Sequence, residues 1–125
     1  MRSTILVVDD EQVTAQLTKT FLGRHGFIVK CAYDGEEALE MADRTNPNLI
    51  LLDIMLPKMD GYEVCNLLKS KEKLKDVPIL FFTAKGCKCD IKRGQEVGGD
   101  DYIIKPFSGR KLVERIREHL GIQEN

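Results

Sequence analysis

An α/β fold, a five-stranded parallel sheet covered by helices on both faces, is predicted by three observations. Short apolar runs alternate five times with stretches of helical periodicity. The third run, Leu49 to Leu52 between Pro47 and Pro57, is four consecutive aliphatics, too short to cross a membrane and apolar on both faces like a central strand. The runs also tend to stop on polar groups, and right-handed crossovers would gather those stops at one edge of the sheet.

In chain order, Ile5 to Val8 is the first strand, ending at Asp9-Asp10-Glu11. Val13, Leu17 and Phe21 then recur every fourth residue, which predicts an amphipathic helix with these three on its apolar face, closed by His25 and Gly26. Ile28 to Ala32 is the second strand. Asp34 with Glu37 three residues later resembles a capping box for a helix reaching about Thr45, where Asn46-Pro47-Asn48 ends it. After the strand that stops on Asp53, Val64, Leu67 and Leu68 mark a third helix, and the charged run Lys69 to Asp76 reads as a solvated helix end and loop. Pro78 to Thr83 is the fourth strand and ends on a hydroxyl. A weak helix from about Asp90 to Val97 carries Gly94 inside it and Gly98-Gly99 behind it. Each internal glycine costs about 1 kcal/mol relative to alanine, so this helix is expected among the least stable elements. Asp101 to Ile104 is the fifth strand; Lys105-Pro106-Phe107 leads to Ser108, which caps a helix with Leu112, Val113, Ile116 and Leu120 on one face and Gly121 at its end.

One domain over residues 1–125 is the natural count for this length. With 42% hydrophobic and 31% charged residues and a net charge of -1, composition argues against disorder and against a nucleic-acid or membrane surface. Only four apolar residues precede Asp9, which is not the apolar core of a signal peptide, so a cytoplasmic protein is expected. Cys31, Cys65, Cys87 and Cys89 contain no Cys-x-x-Cys pair and predict no disulfide framework. Cys87 and Cys89 lack the further nearby Cys or His ligands that a metal site would need.

The edge where the strands end is where open α/β sheets bind ligands. It collects Asp9 and Asp10 after the first strand, Asp53 after the third, Thr83 after the fourth and Lys105 after the fifth. Asp53 taken alone could equally be a turn cap. Together, three adjacent carboxylates repel one another unless some are protonated or a divalent cation sits among them. At neutral pH the cation is favoured, and hard oxygen donors suit Mg²⁺, or Mn²⁺, with waters left for an incoming phosphate. Lys105 and Thr83 would complete an anion cradle, one neutralising charge and the other donating a hydrogen bond.

These residues resemble the response-regulator receiver domain across essentially the whole chain. The likeness lies in Val-Asp-Asp at 8–10, Asp-Ile-Met-Leu-Pro at 53–57, Met-Asp-Gly at 59–61, Thr-Ala at 83–84 and Asp-Asp-Tyr-Ile-Ile-Lys-Pro-Phe at 100–107, in that order and spacing. The resemblance implies the doubly wound, flavodoxin-like strand order 2-1-3-4-5. It implies that Asp53 accepts a phosphoryl group, that Asp9, Asp10, Asp53 and the Met55 carbonyl hold Mg²⁺, and that Thr83 and Lys105 bind the phosphoryl oxygens. Tyr102 matches the aromatic that turns inward when the Thr83 hydroxyl moves to the phosphate, and the Lys105-Pro106 peptide is implied to be cis. Met55 and Lys85 fall where the family places side chains flanking the path of the hydrolytic water.

The implied function is a switch and not an enzyme acting on another substrate. A sensor histidine kinase or phosphotransfer protein would be the donor, a downstream protein or an output domain on the same chain the receiver of the signal, and the state a monomer or an activation-dependent homodimer. Ile91 and Lys111 depart from the basic and acidic pair that transcription-factor receivers often place across a dimer, while Asp101 and Arg115 keep the pattern. Gly99 stands where alanine is usual and is expected to loosen the entry to the fifth strand. A haloacid-dehalogenase-type phosphatase would need its general acid where this chain has Met55, and a flavodoxin-like binding module would need a phosphate cradle where Asp9, Asp10 and Glu11 repel one.

Overall fold

The structure, a computed structural model, describes residues 2–84, 91–105 and 108–122. Five strands, β1 (Thr4–Val8), β2 (Ile28–Ala32), β3 (Leu49–Asp53), β4 (Ile79–Ala84) and β5 (Asp101–Lys105), alternate with the helices α1 (Gln12–Arg24), α2 (Gly35–Thr45), α3 (Gly61–Lys69), α4 (Ile91–Glu96) and α5 (Gly109–Leu120). All pairings are parallel and the order is β2-β1-β3-β4-β5. The winding reverses between β1 and β3, and the crevice at such a reversal is where this architecture binds ligands.

Side-chain alternation divides the core in two. Leu6, Val8, Ile50, Leu52, Ile79 and Phe81 point to the face covered by Ala38 and Ala42 of α2 and by Tyr62, Val64, Cys65 and Leu68 of α3. Ile5, Val7, Leu49, Leu51, Leu80 and Phe82 point to the other, under Ala15 and Leu22 of α1 and Leu112, Val113 and Ile116 of α5. β3 is buried at all five positions, as its unbroken aliphatic run requires.

The helix ends follow their local chemistry. Asp34, Asp60 and Ser108 each accept a bond from the backbone N–H three residues on, satisfying an otherwise unpaired donor of α2, α3 and α5. Asn46 and Gly121 close α2 and α5 in the left-handed region.

Two expectations change, and Gly99 gains a second role. α1 forms where expected, but its buried residues are Ala15, Thr18 and Leu22, while Val13 and Leu17 stay 69% and 67% exposed. A stripe at every fourth residue turns by about 40° per step, so Val13 and Leu17 lie nearly opposite the buried face and only Phe21 reaches its flank. The run Lys69 to Asp76 is less solvated than its charge suggests. Leu74 is in the core, and the Lys69 ammonium donates to the Val77 carbonyl at 2.6 Å and to Asp100 at 3.3 Å, joining the end of α3 to the turn before β5. Gly99 has a packing role: a Cβ there would overlap Cε2 of the fully buried Phe81 and lie 2.9 Å from Cδ2.

Candidate functional site

Strand register sets the site. Val8 lies opposite Leu52, so Asp9 and Asp53 leave the sheet at neighbouring positions; Asp53 is level with Phe82, Thr83 with Ile104, and Ala84 with Lys105. The carboxylates of Asp9, Asp10 and Asp53 each bring an oxygen within 4.8 Å of the others. Asp9 and Asp53 are buried and Asp10 is exposed. Thr83 is 2% exposed at the end of β4.

Each buried carboxylate uses one oxygen to order its own turn. Asp9 Oδ1 accepts the Glu11 N–H at 3.0 Å and Asp53 Oδ1 the Met55 N–H at 2.9 Å. Turn cap and site residue are therefore compatible roles for Asp53. The other oxygens face the Lys105 ammonium, which reaches Asp9 Oδ2 at 3.0 Å and Asp53 Oδ2 at 3.3 Å and lies 4.5 Å from the centre of the Phe82 ring. Gly61 lets α3 begin against the end of β3: a Cβ there would overlap the Asp53 carbonyl oxygen and lie 3.1 Å from its carbon.

The groups pull one another's protonation apart. Burial pushes the Asp53 carboxyl above the ordinary carboxylate range, and the Asp9 charge adds to this, while the Met55 N–H and Lys105 work the other way. Burial alone would lower Lys105, but its bond to Asp9 and the charges of Asp53 and Asp9 hold it above the usual lysine value. The ammonium neutralises only part of the local negative charge. Crowded hard-oxygen donors on an incompletely neutralised edge suit a small divalent cation, and among the described residues Asp9, Asp10 and Asp53 form a group that could hold one.

Tyr102 is half-buried on β5, its ring 5.2 Å from that of Phe81, which is in turn 5.3 Å from Tyr62; the hydroxyls of Tyr102 and Tyr62 are 3.4 Å apart. Met55 is 64% exposed beside Asp53. Lys85, Cys87, Cys89 and the Lys105-Pro106 peptide fall outside the described residues. Reading the sequence alone missed Arg93, which lies over the Tyr62 ring at 4.8 Å and 3.4 Å from Asp60, and Asp100, which accepts from the Ile79 N–H at 2.8 Å as well as from Lys69. Their partners are distant in sequence, so no local pattern marks them. Among the described residues no helix is long and apolar enough to cross a membrane.

Known proteins share this fold. A receiver domain from Methanospirillum hungatei JF-1, described as CheY-like, superposes with a TM-score of 0.90 at 30% identity, covering 97% of this chain and 95% of that one. The chemotaxis protein CheY4 of Vibrio cholerae gives 0.89 at 28% identity over 94% and 98%. A curated relative from Cyanophora paradoxa, the "Probable transcriptional regulator ycf27", is 46% identical over 121 residues, 97% of this chain. The chain spans about half the length of that relative, 49%. The model of the response regulator receiver domain matches residues 5–117, and the chain belongs to that family, the receiver domains of two-component response regulators.

Proposed function

We propose that Asp53 is the phosphoacceptor of this receiver and that the group it accepts comes from a phosphohistidine on a sensor histidine kinase or phosphotransfer protein. The observation that carries the reading is the Lys105 ammonium lying between Asp9 and Asp53, since a fixed cation at the acceptor is what an incoming phosphoryl anion needs. An Asp53 oxygen attacks phosphorus, the bond from phosphorus to the histidine nitrogen breaks, and an acyl phosphate forms. Such transfer depends on positioning and charge neutralisation more than on proton transfer. Lys105 neutralises and orients the phosphoryl oxygens, and the Thr83 hydroxyl donates to one of them. Asp9, Asp10 and Asp53, with the Met55 carbonyl, would hold Mg²⁺, or Mn²⁺, which supplies further neutralisation when bound.

Phosphorylation then biases a two-state element in which Thr83 and Tyr102 respond together. Moving an equilibrium from 1:99 to 99:1 takes about 5.5 kcal/mol, within reach of a few charge-assisted hydrogen bonds at about 1.5 to 3 kcal/mol each. Met55 cannot hold a water strongly, and with Lys85 it would shield the acyl phosphate and slow its hydrolysis. The protein acts in the cytoplasm and passes the signal to a protein partner or to an output domain following the receiver, an arrangement favoured by the length of the curated relative. It works as a monomer or as a homodimer formed on activation. The test is intact mass after acetyl phosphate treatment. One base-labile phosphate is expected with Mg²⁺ and none without it or in Asp53→Asn; stoichiometric labelling of Asp53→Asn would refute the assignment.

A further inference from the structure

The Tyr102 ring is wedged. Phe81, fully buried, lies on one side at 5.2 Å, and α4 presents the bare backbone of Gly94 to the tyrosine hydroxyl. A Cβ at position 94 would overlap that hydroxyl oxygen and stand 2.9 and 3.1 Å from ring carbons Cζ and Cε2, closer than side chains normally pack. Phe81 cannot yield, because it is itself packed against Tyr62 and the backbone of Gly99. The ring is the movable partner: it is half-buried, hinges on two side-chain bonds, and belongs to a strand paired on one side only.

We infer that Gly94 is a positioning residue for the switch, its missing side chain being the seat that admits the Tyr102 ring to the half-buried position it occupies beside Phe81. The reason is steric and specific to one atom. Most of the overlap falls on the phenolic oxygen, so a ring without that oxygen should tolerate a methyl group at position 94 much better. Alanine also favours helix over glycine, so Gly94→Ala should leave α4 intact and turn out the ring. The consequence for signalling rests on the proposed switch role of Tyr102; the geometry does not.

Gly94→Ala, Tyr102→Phe and the double variant, compared with the wild type by NMR with labelled aromatic rings, test this. In the wild type the ring at position 102 should show contacts to the α-protons of residue 94 and to Phe81. Gly94→Ala should lose both, and Gly94→Ala combined with Tyr102→Phe should regain them. Retention of both contacts in Gly94→Ala, or their loss in the double variant too, would overturn the inference. If Gly94→Ala does not fold, folding of the double variant still assigns the fault to the hydroxyl, whereas failure of both sinks the proposal. A titration with beryllofluoride and Mg²⁺ reads the switch separately. If the seated ring belongs to the activated state, Gly94→Ala weakens binding by about fivefold or more and the double variant restores it, since apparent affinity scales with the competent fraction. Unchanged affinity beside a displaced ring would uphold the seat and refute the switch role of Tyr102.

Discussion

β3 and β5 each end on a residue of the acidic edge, Asp53 on one and Lys105 on the other, yet they are held in very different ways. β3 is paired on both sides, with β1 and β4, and every residue in it is buried. β5 is paired with β4 alone, only Ile103 is buried, and Ile104 is 60% exposed. The helix before β5 has six residues, with Gly94 in its middle. Chemistry needs atoms held to a fraction of an ångström, which the central strand provides. Response needs a part that moves cheaply, and such parts come from the low-stability end of a structure.

The largest expected effect separates the strands directly. Leu51→Ala empties a fully buried site in β3 and should destabilise the fold by about 2–5 kcal/mol, whereas Ile104→Ala on β5 should stay within about 0.5 kcal/mol. Urea unfolding measures both. Equal losses would mean that the edge strand is anchored as deeply as the centre.

A smaller effect tests the cost of the proposed acceptor. Asp53 ionises against its burial, so its folded pKa lies above its unfolded one and the folded state holds its proton more tightly. Its charge therefore costs stability above the folded pKa, and that cost fades as pH falls through the folded pKa and is gone below the unfolded value. Asp53→Asn should raise the unfolding midpoint near neutral pH by about 3–5 °C, roughly what 1 kcal/mol gives in a domain of this size, and the gain should shrink in acid and, on the proposal that Asp53 helps hold the ion, with Mg²⁺. Thermal scans at two pH values suffice. A lower midpoint for Asp53→Asn would mean that the carboxylate is stabilised in place.

The contrast between the strands was half legible in the sequence. Four aliphatics in a row identify β3, and strand ends in a right-handed α/β chain can meet only at one edge, so Asp9, Asp10, Asp53, Thr83 and Lys105 could be grouped beforehand. The buried face of α1 was not legible, because Ala15 and Thr18 are small enough to lie against the sheet while the larger Val13 and Leu17 are turned away. Hydrophobic size is a guide to burial only where the gap beneath a helix is wide. The glycine seats were invisible for a related reason: glycine in α4 reads as weakness until the rings of Tyr102 and Phe81 are in view.

The smallest effect concerns what little pins β5. Asp101, its first residue, accepts from Arg115 at 2.7 Å and lies 3.1 Å from the His119 ring, tying the strand to α5. Burial would raise the Asp101 carboxyl, but the bonds from Arg115, His119 and the Tyr102 N–H together hold it below the ordinary range. A lowered folded pKa contributes stability above the unfolded carboxyl value and loses it as pH falls through the folded one. The Arg115 side chain is 46% exposed, so water and salt screen the pair, and such surface pairs are worth about 0–1 kcal/mol. Arg115→Ala should therefore cost under about 1 kcal/mol near neutral pH in low salt, and the difference from wild type should vanish once acid protonates Asp101. Urea unfolding across pH follows it. A loss as large as that from Leu51→Ala would show one ion pair holding the edge as firmly as the core holds β3, and the division of labour between the two strands would fail.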